Sequence, residues 1–192
     1  MSETLEVGVV LSRGPMAVGD CEKGSSQPLL SEIWNGSKWA MSLPPNPSGV
    51  VGNSLLGVSC VSTKFCNAVG DSLTSSFAFR SLGEVWNGKS WTIRPTPSGT
   101  QTIGSTLYDV SCLSTTSCLT VGTLATQWNG SSWTSKAFPQ PAGSLLTNAV
   151  SIACLSTSNC TAAGDYGSST STLTVIMNWN GKSLTLQTAK NP

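Results

Sequence analysis

Apolar residues occur along the chain in short stretches, separated by Asn-Gly pairs and by segments rich in Pro, Gly, Ser and Thr. None of these stretches shows the spacing of three or four residues that marks an amphipathic helix. In the second repeat of the pattern the stretches cover residues 56–61, 65–70, 82–86 and 90–94. Short apolar segments at regular spacing, bounded by turn-forming residues, are typical of β-strands. The sequence therefore predicts an all-β fold with four strands in each repeat.

Four copies of a Trp-Asn-Gly motif mark the end of the four repeats, beginning at Trp34, Trp86, Trp128 and Trp179. Asn-Gly between apolar residues is a strong hairpin signal, because a type I′ turn needs positive φ at both central residues. A two-residue loop would pair Trp86 with Lys89 and Glu84 with Trp91. We therefore expect the two indoles of each hairpin to form a diagonal cross-strand pair on one face.

Three repeats carry two cysteines that lie six residues apart, on either side of the turn between the first two strands: Cys60 and Cys66, Cys112 and Cys118, Cys154 and Cys160. An antiparallel hairpin places such side chains opposite each other, within reach of a disulfide. The alternative is a metal site, against which the absence of His and the spacing both argue. We expect three disulfides, each worth about 2 kcal/mol, and an oxidising compartment.

The first repeat aligns with the others without a gap but has Val9 and Pro15 in the cysteine positions. Its Cys21 has no partner in the pattern. A free thiol and an intermolecular disulfide are both open for Cys21. A catalytic nucleophile is disfavoured, because the chain has no His to activate the thiol.

The repeat length varies, from 52 residues between Cys60 and Cys112 to 42 between Cys112 and Cys154. All of the variation falls between the Gly that ends the second strand and the Trp hairpin, so we interpret this segment as a surface loop. Four-stranded repeats of this length are typical of propeller blades. The sequence predicts one β-propeller domain over residues 1–192, with blades at about 4–46, 55–98, 106–140 and 147–190. The alternatives are half of an eight-bladed ring formed by two chains, and a fragment of a longer array.

Charge and hydropathy exclude several classes of partner. Charged residues make up 10% of the chain, against about 25% in an average globular protein. A net charge of +1 without a basic stripe argues against nucleic acid. No apolar run reaches the length of a membrane span, and the acidic N-terminus does not resemble a signal peptide. Together with the cysteines, this suggests a secreted protein whose signal peptide is absent from this chain.

One repeat position is acidic in three copies, as Asp20, Asp71 and Asp165, and is Thr123 in the third repeat. An Asp after Gly at the end of a strand usually bonds to backbone N–H groups of a turn. Calcium or ligand binding is the alternative, and it makes Asp20, Asp71, Thr123 and Asp165 candidate ligand-binding residues; the further oxygens that a calcium site needs are not evident. We predict no metal and no cofactor.

The Trp residues suggest either packing between repeats or stacking on sugar rings. Their recurrence at the same position of every repeat favours packing. The indoles of the outermost strands are expected to be partly exposed, and are therefore the candidate sugar-stacking residues: Trp39, Trp91 and Trp133.

The two motifs together resemble a family. Tandem units with Val-Ser-Cys, then Cys-x-Ala-Val-Gly, then Trp-Asn-Gly-x-x-Trp are similar to those of secreted, chiefly actinobacterial, repeat proteins. The resemblance covers essentially the whole chain, and it implies a β-propeller without catalytic residues. The chain departs from the pattern in the first repeat, which lacks the cysteines, and at Leu184, which replaces the second Trp.

For function, the sequence favours a non-catalytic extracellular binding or adhesion module that recognises a glycan or a cell-surface protein. The candidate binding surface comprises residues 20–31, 71–82, 123–126 and 165–176. A structural self-assembling protein is the alternative, and a secreted propeller-type glycosidase or lyase is the third. The lack of His and of paired carboxylates argues against an enzyme. Monomer and homodimer are both open.

Overall fold

In a computed structural model, the described part of the chain comprises residues 3–4, 15–21, 27–98 and 104–190. These residues form four four-stranded antiparallel sheets, and no helix. The first sheet contains β1 (Glu3–Thr4), β2 (Met16–Cys21), β3 (Leu29–Trp34) and β4 (Trp39–Met41); the second contains β5 (Val50–Ser62), β6 (Phe65–Thr74), β7 (Phe79–Trp86) and β8 (Trp91–Ile93). The third contains β9 (Leu107–Ser114), β10 (Ser117–Gly122), β11 (Ala125–Trp128) and β12 (Trp133–Lys136); the fourth contains β13 (Leu146–Ser156), β14 (Asn159–Gly167), β15 (Thr172–Trp179) and β16 (Leu184–Gln187). The predicted all-β class and the four strands per repeat are confirmed.

Each sheet runs up and down in chain order, so that its turns alternate between two ends. The disulfide turns and the Asn-Gly turns lie at one end, which we call the disulfide end; Gly88 there approaches Lys64. The hairpins between second and third strands, and the connections between sheets, lie at the opposite end, which we call the crossover end. The first strand predicted in the first repeat falls largely on residues 5–14, which lie outside the described part.

All three predicted disulfides are present: Cys60–Cys66, Cys112–Cys118 and Cys154–Cys160. In each pair the two residues lie directly opposite on the first and second strands, with Cα atoms 4.0 Å apart. Cys21 is a free, half-buried thiol.

The predicted register of the Asn-Gly hairpins is wrong. Trp86 pairs directly with Trp91 across a four-residue loop, and the other three sheets repeat this register. The Asn87 side chain causes the difference, because its Oδ1 accepts the backbone N–H groups of Lys89 and Ser90, both at 2.9 Å. Only Gly88 then takes a positive φ, of 92°. The two rings pack at a centroid distance of 5.6 Å, tilted by 51°.

The predicted variable loops are mostly strand. In the second sheet β6 and β7 continue past the expected loop start and leave only residues 75–78 between them. In the fourth sheet the connection is residues 168–171, and in the third it is Thr123 and Leu124 alone. The repeats therefore differ in how far the central hairpin extends, because added residues find ladder partners in the neighbouring strand. Residues 22–26 of the first segment lie outside the described part.

A bulge that recurs in the last three sheets explains the repeated Gly that precedes the acidic position. The first strands of the last three sheets carry a β-bulge, at Leu56, Tyr108 and Val150. Opposite each bulge stands a glycine, as Gly122 does beside Tyr108. A Cβ there would collide with the backbone of the first strand, in this case with the carbonyl of Thr106. The bulge thus requires a residue without a side chain in the second strand.

The sheets stack face to face in chain order. We call the face that carries the Trp hairpin pair the front, and the opposite face the back. Trp86 and Trp91 on the second front pack on Met16, Val18 and Leu29 of the first back, and similar clusters join the second to the third and the third to the fourth sheet. No buried cluster within the described residues joins the fourth sheet to the first, so a closed propeller ring stays a prediction.

Hydrogen bonds between first strands reinforce the stack. The backbone N–H of Cys112 donates to Ser59 Oγ at 3.0 Å, and that of Cys154 donates to Ser111 Oγ at 3.1 Å. Asp109 adds a second link, since its Oδ2 accepts the Ile152 N–H at 2.8 Å. The Ser of the repeated Val-Ser-Cys motif therefore fastens the second sheet to the third and the third to the fourth. The described residues contain no helix of the length and apolarity that crossing a membrane requires.

Candidate functional site

Among the described residues, the crossover end has cavities large enough to hold a ligand. Three cavities lined by described residues there have volumes of about 540, 380 and 250 Å³. A cavity at the disulfide end, beside Cys118 and Cys160, measures about 10 Å³. The larger cavities therefore coincide with the end at which the repeats differ in length.

The smallest of the three, which we call the Tyr108 cavity, lies between the second, third and fourth sheets. Its lining residues are Asp71, Phe79, Gly104, Thr106, Tyr108, Thr123, Leu146 and Asn148. Two of the residues predicted to bind a ligand, Asp71 and Thr123, thus share one cavity. The Gly104 backbone is held against Phe79 by a parallel bridge, and the Ser105 N–H donates to the Phe79 carbonyl at 3.0 Å, so one wall is fixed to the second sheet.

Asp71 links two sheets at the edge of this cavity. It lies within β6 on the second back, and its Oδ2 accepts the Thr106 hydroxyl of the third sheet at 3.0 Å. Burial raises the pKa of Asp71; the Thr106 bond opposes this rise and the negative charge of Asp20 adds to it. The carboxylate is therefore held in place by one bond and keeps acceptor capacity for a ligand hydroxyl.

Tyr108 is the site residue that the sequence reasoning missed. It occupies the bulge of β9, a position at which the side chain is turned out of the regular alternation. Burial raises the pKa of its hydroxyl, and the charges of Asp71 and Asp165 raise it further. At neutral pH Tyr108 therefore presents a protonated hydroxyl, which is a hydrogen-bond donor, together with an aromatic face. The available signal was its departure from the repeat, since Leu56 and Val150 are the equivalents.

Thr123 closes the short hairpin of the third sheet. Its backbone N–H donates to the Thr106 carbonyl at 3.0 Å, and its hydroxyl accepts the Thr106 N–H at 3.1 Å. The Thr123 hydroxyl can both donate and accept a hydrogen bond, which suits this two-residue connection. The repeats with longer hairpins have Asp at the same position. Thr123 therefore fixes the rim of the Tyr108 cavity.

The predicted turn role of the acidic position is wrong. Asp20, Asp71 and Asp165 lie within β2, β6 and β14 and not in turns, because the strands continue beyond them. Asp20 accepts the Gln27 side-chain amide at 2.6 Å. The structure places Asp20 beside the second sheet and Asp165 near Tyr108, and it does not bring all three carboxylates into the Tyr108 cavity.

An acceptor without a partner completes the cavity wall. Asn148 pairs with Asp165 in the sheet and lines the Tyr108 cavity, and its buried Oδ1 has no hydrogen-bond partner within the described structure. A buried carbonyl oxygen without a partner is costly. A ligand donor placed in the cavity would satisfy it.

The largest of the three cavities is an open groove between the first connection and the second sheet. Its walls include Ser72, Thr74, Arg80 and Ser81. Several of these hydroxyls are engaged within the wall; Ser81 Oγ, for example, lies 2.9 Å from Thr96 Oγ1 and donates to the Pro97 carbonyl. The groove therefore offers a preformed, hydroxyl-rich surface.

The indoles divide into buried and exposed members. Trp91 and Trp133 are only 6% and 5% exposed, so the expected partial exposure is wrong for these two, because each packs on the preceding sheet. Trp39 is 42% exposed, as predicted. None of the three lines the Tyr108 cavity.

The described residues contain no cluster of three or more His, Cys, Asp or Glu side chains that could hold a metal ion. No protein-family model matches the chain, and no curated protein is significantly similar to it.

Proposed function

We propose that the protein is an extracellular, non-catalytic module that binds a glycan at its crossover end. The observation that carries this proposal is the Tyr108 cavity, which combines the aromatic side chains of Tyr108 and Phe79 with hydroxyl, amide and carboxylate groups. Ligand sites typically combine apolar and aromatic walls with a few fixed polar groups. Sugars present both C–H faces and hydroxyls, and so match such a lining.

Three considerations support the rest of the proposal. The three disulfides suit an oxidising compartment, and hence secretion. The sequential order of strands in each sheet and the contacts between first strands favour blades of the propeller type, in line with the resemblance to actinobacterial repeat proteins. The chain has no His for general base catalysis, which favours binding over hydrolysis. An experimental structure in which the first strands do not surround one axis would contradict the propeller arrangement.

The test is a glycan array of the wild-type protein, followed by titration of the strongest ligand against the wild type and against Tyr108→Leu. This substitution gives the third sheet the leucine that the second sheet has at the equivalent bulge, Leu56. Loss of the hydroxyl and of the aromatic face should weaken binding by about tenfold or more. Leu113→Ser, on the same strand but at the disulfide end, is the matched control and should bind as wild type does. No bound glycan on the array, or equal affinity of the Tyr108 variant, would contradict the proposal.

A self-assembling structural role is the second candidate. It is favoured by the exposure of Trp39 on the first sheet.

A further inference from the structure

Contacts between sheets follow one rule throughout the stack. The front of each later sheet is buried on the back of the sheet before it, with a Trp pair in the second and third sheets and with Trp179 and Leu184 in the fourth. Trp91 illustrates the fit, since its Nε1–H donates to Ser31 Oγ on the first back at 2.9 Å. A front face therefore needs a partner surface.

The front of the first sheet has the same Trp pair but lies largely open. Trp34 and Trp39 pack at a centroid distance of 5.6 Å, as Trp86 and Trp91 do. Trp39 is nevertheless 42% exposed, and the neighbouring Met41 is 64% exposed. Their counterparts on the second front are the buried Trp91 and the half-buried Ile93. The first front is thus an apolar surface built for burial that no described sheet covers.

The back of the fourth sheet is not its complement. This face is exposed and mostly polar along its three outer strands, where Thr161, Asn178 and Thr185 lie. Thr161 and Ala163 stand where the third back has the buried Leu119 and Val121. Thr161 Oγ1 donates to Asn178 Oδ1 at 3.3 Å, so these two groups satisfy each other on the surface. Ala153 also replaces the Ser that fastens the second and third sheets to the sheets that follow them. Polar outer faces of this kind cap the ends of repeat arrays.

We propose that the front face of the first sheet is a homodimer interface, at which two copies of the chain pack front to front about a two-fold axis. An isologous contact lets one apolar face cover its own copy, which the capped fourth sheet cannot do in a head-to-tail contact. Burial of the indoles continues the type of contact that holds the stack together. Among the residues whose side chains are described, the acid Glu32 lies on this face and the base Lys38 lies in the adjoining turn, so a two-fold contact offers two pairings of opposite charge.

Sedimentation equilibrium of the full chain tests the proposal over roughly 1–100 µM, the range in which an interface of modest size dissociates. We expect a reversible dimer that dissociates on dilution, and a single monomer band on non-reducing electrophoresis. Met41→Glu should weaken the dimer by more than tenfold, because it places a charge in the apolar contact. Thr185→Glu, the same charge on the fourth back, is the matched control and should leave the dimer intact. Thermal unfolding verifies that both variants fold, and Trp39→Gln replaces Met41→Glu if that variant does not.

Three results would overturn the proposal. A monomer at all concentrations means that the first front is not an interface. Dissociation by Thr185→Glu, or growth beyond the dimer, means that the copies associate head to tail. A disulfide-linked dimer places the contact at Cys21, at the crossover end of β2.

Discussion

The buried side chain of Glu84 makes the stability of the stack depend on pH. It is 0% exposed on the second front, facing the first sheet, and neither carboxyl oxygen has a hydrogen-bond partner within the described structure. Ala68 lies opposite it and offers no side-chain donor. At the same position the third sheet has Thr126, bonded to Thr120 at 2.8 Å, and the fourth has Met177. Burial raises the pKa of Glu84 to about 8.

Stability should therefore fall as the pH rises. Between the usual glutamate pKa of 4.5 and about 8 the unfolded chain is ionised while the folded protein keeps the proton. The unfolding free energy then decreases with pH by up to about 4 kcal/mol over this window, and the loss is complete above it. Glu84→Met, which copies the fourth sheet, should remove most of this dependence. Urea denaturation of both proteins at pH 5 and pH 8.5 measures the change in unfolding free energy. An equal decrease in the two proteins would show that Glu84 does not cause the pH dependence.

The indole nitrogens of the Trp pairs also differ from one interface to the next. Trp91 Nε1 bonds to Ser31, whereas Trp133 meets Gly83 at the equivalent position and its buried N–H has no partner within the described structure. On the third back this position is Ala125, and the fourth front has Leu184 where the others have Trp. Leu184 therefore leaves no indole N–H to be satisfied at the last interface, whereas Trp133 leaves one without a partner at the interface before it.

At the scale of the element, the Asn-Gly turn is held by one side chain. Asn87→Ala removes the acceptor of two backbone N–H groups and should lower the unfolding free energy by about 1 kcal/mol. Asn87→Asp keeps the acceptor and serves as the control. The measurement is chemical denaturation of both variants, and an unaffected alanine variant would show that the loop does not depend on the side chain.

The elements also show what the sequence could reveal. Strand existence, the disulfide pairs and the four units follow from spacing, because Cys60 and Cys66 must stand opposite each other on a hairpin. The hairpin register did not follow, because Asn-Gly serves both a two-residue and a four-residue loop and the Asn87 side chain decides between them. The long central hairpins did not follow either, since Ser/Thr-rich segments such as residues 72–74 pair as extensions of the strands without an apolar pattern. The role of Tyr108 did not follow from the repeat, because the equivalent bulge positions are the aliphatic Leu56 and Val150 and only the fold places Tyr108 in a cavity.

At the scale of the whole molecule, the two ends of the stack differ both along the strands and across the sheets. Along the strands, the disulfide end is held by covalent links and tight turns, and the crossover end carries the cavities. Across the sheets, the first front is apolar and the fourth back is polar. A rigid scaffold with one variable end is a common arrangement for binding proteins, and it separates the proposed ligand site from the proposed dimer interface.

The central claim, that the crossover end carries the function, is tested most directly by changing one hairpin. Replacing residues 123–124 of the third sheet with residues 71–82 of the second gives it the long hairpin of its neighbour, which would cover the Tyr108 cavity. The control is Thr116→Lys, which gives the third disulfide turn the Lys64 of the second. The measurement is the binding isotherm of the strongest array glycan, with thermal unfolding to verify each fold. We predict that the hairpin exchange abolishes binding and that Thr116→Lys leaves it unchanged; a folded exchange variant that binds with wild-type affinity would contradict the account.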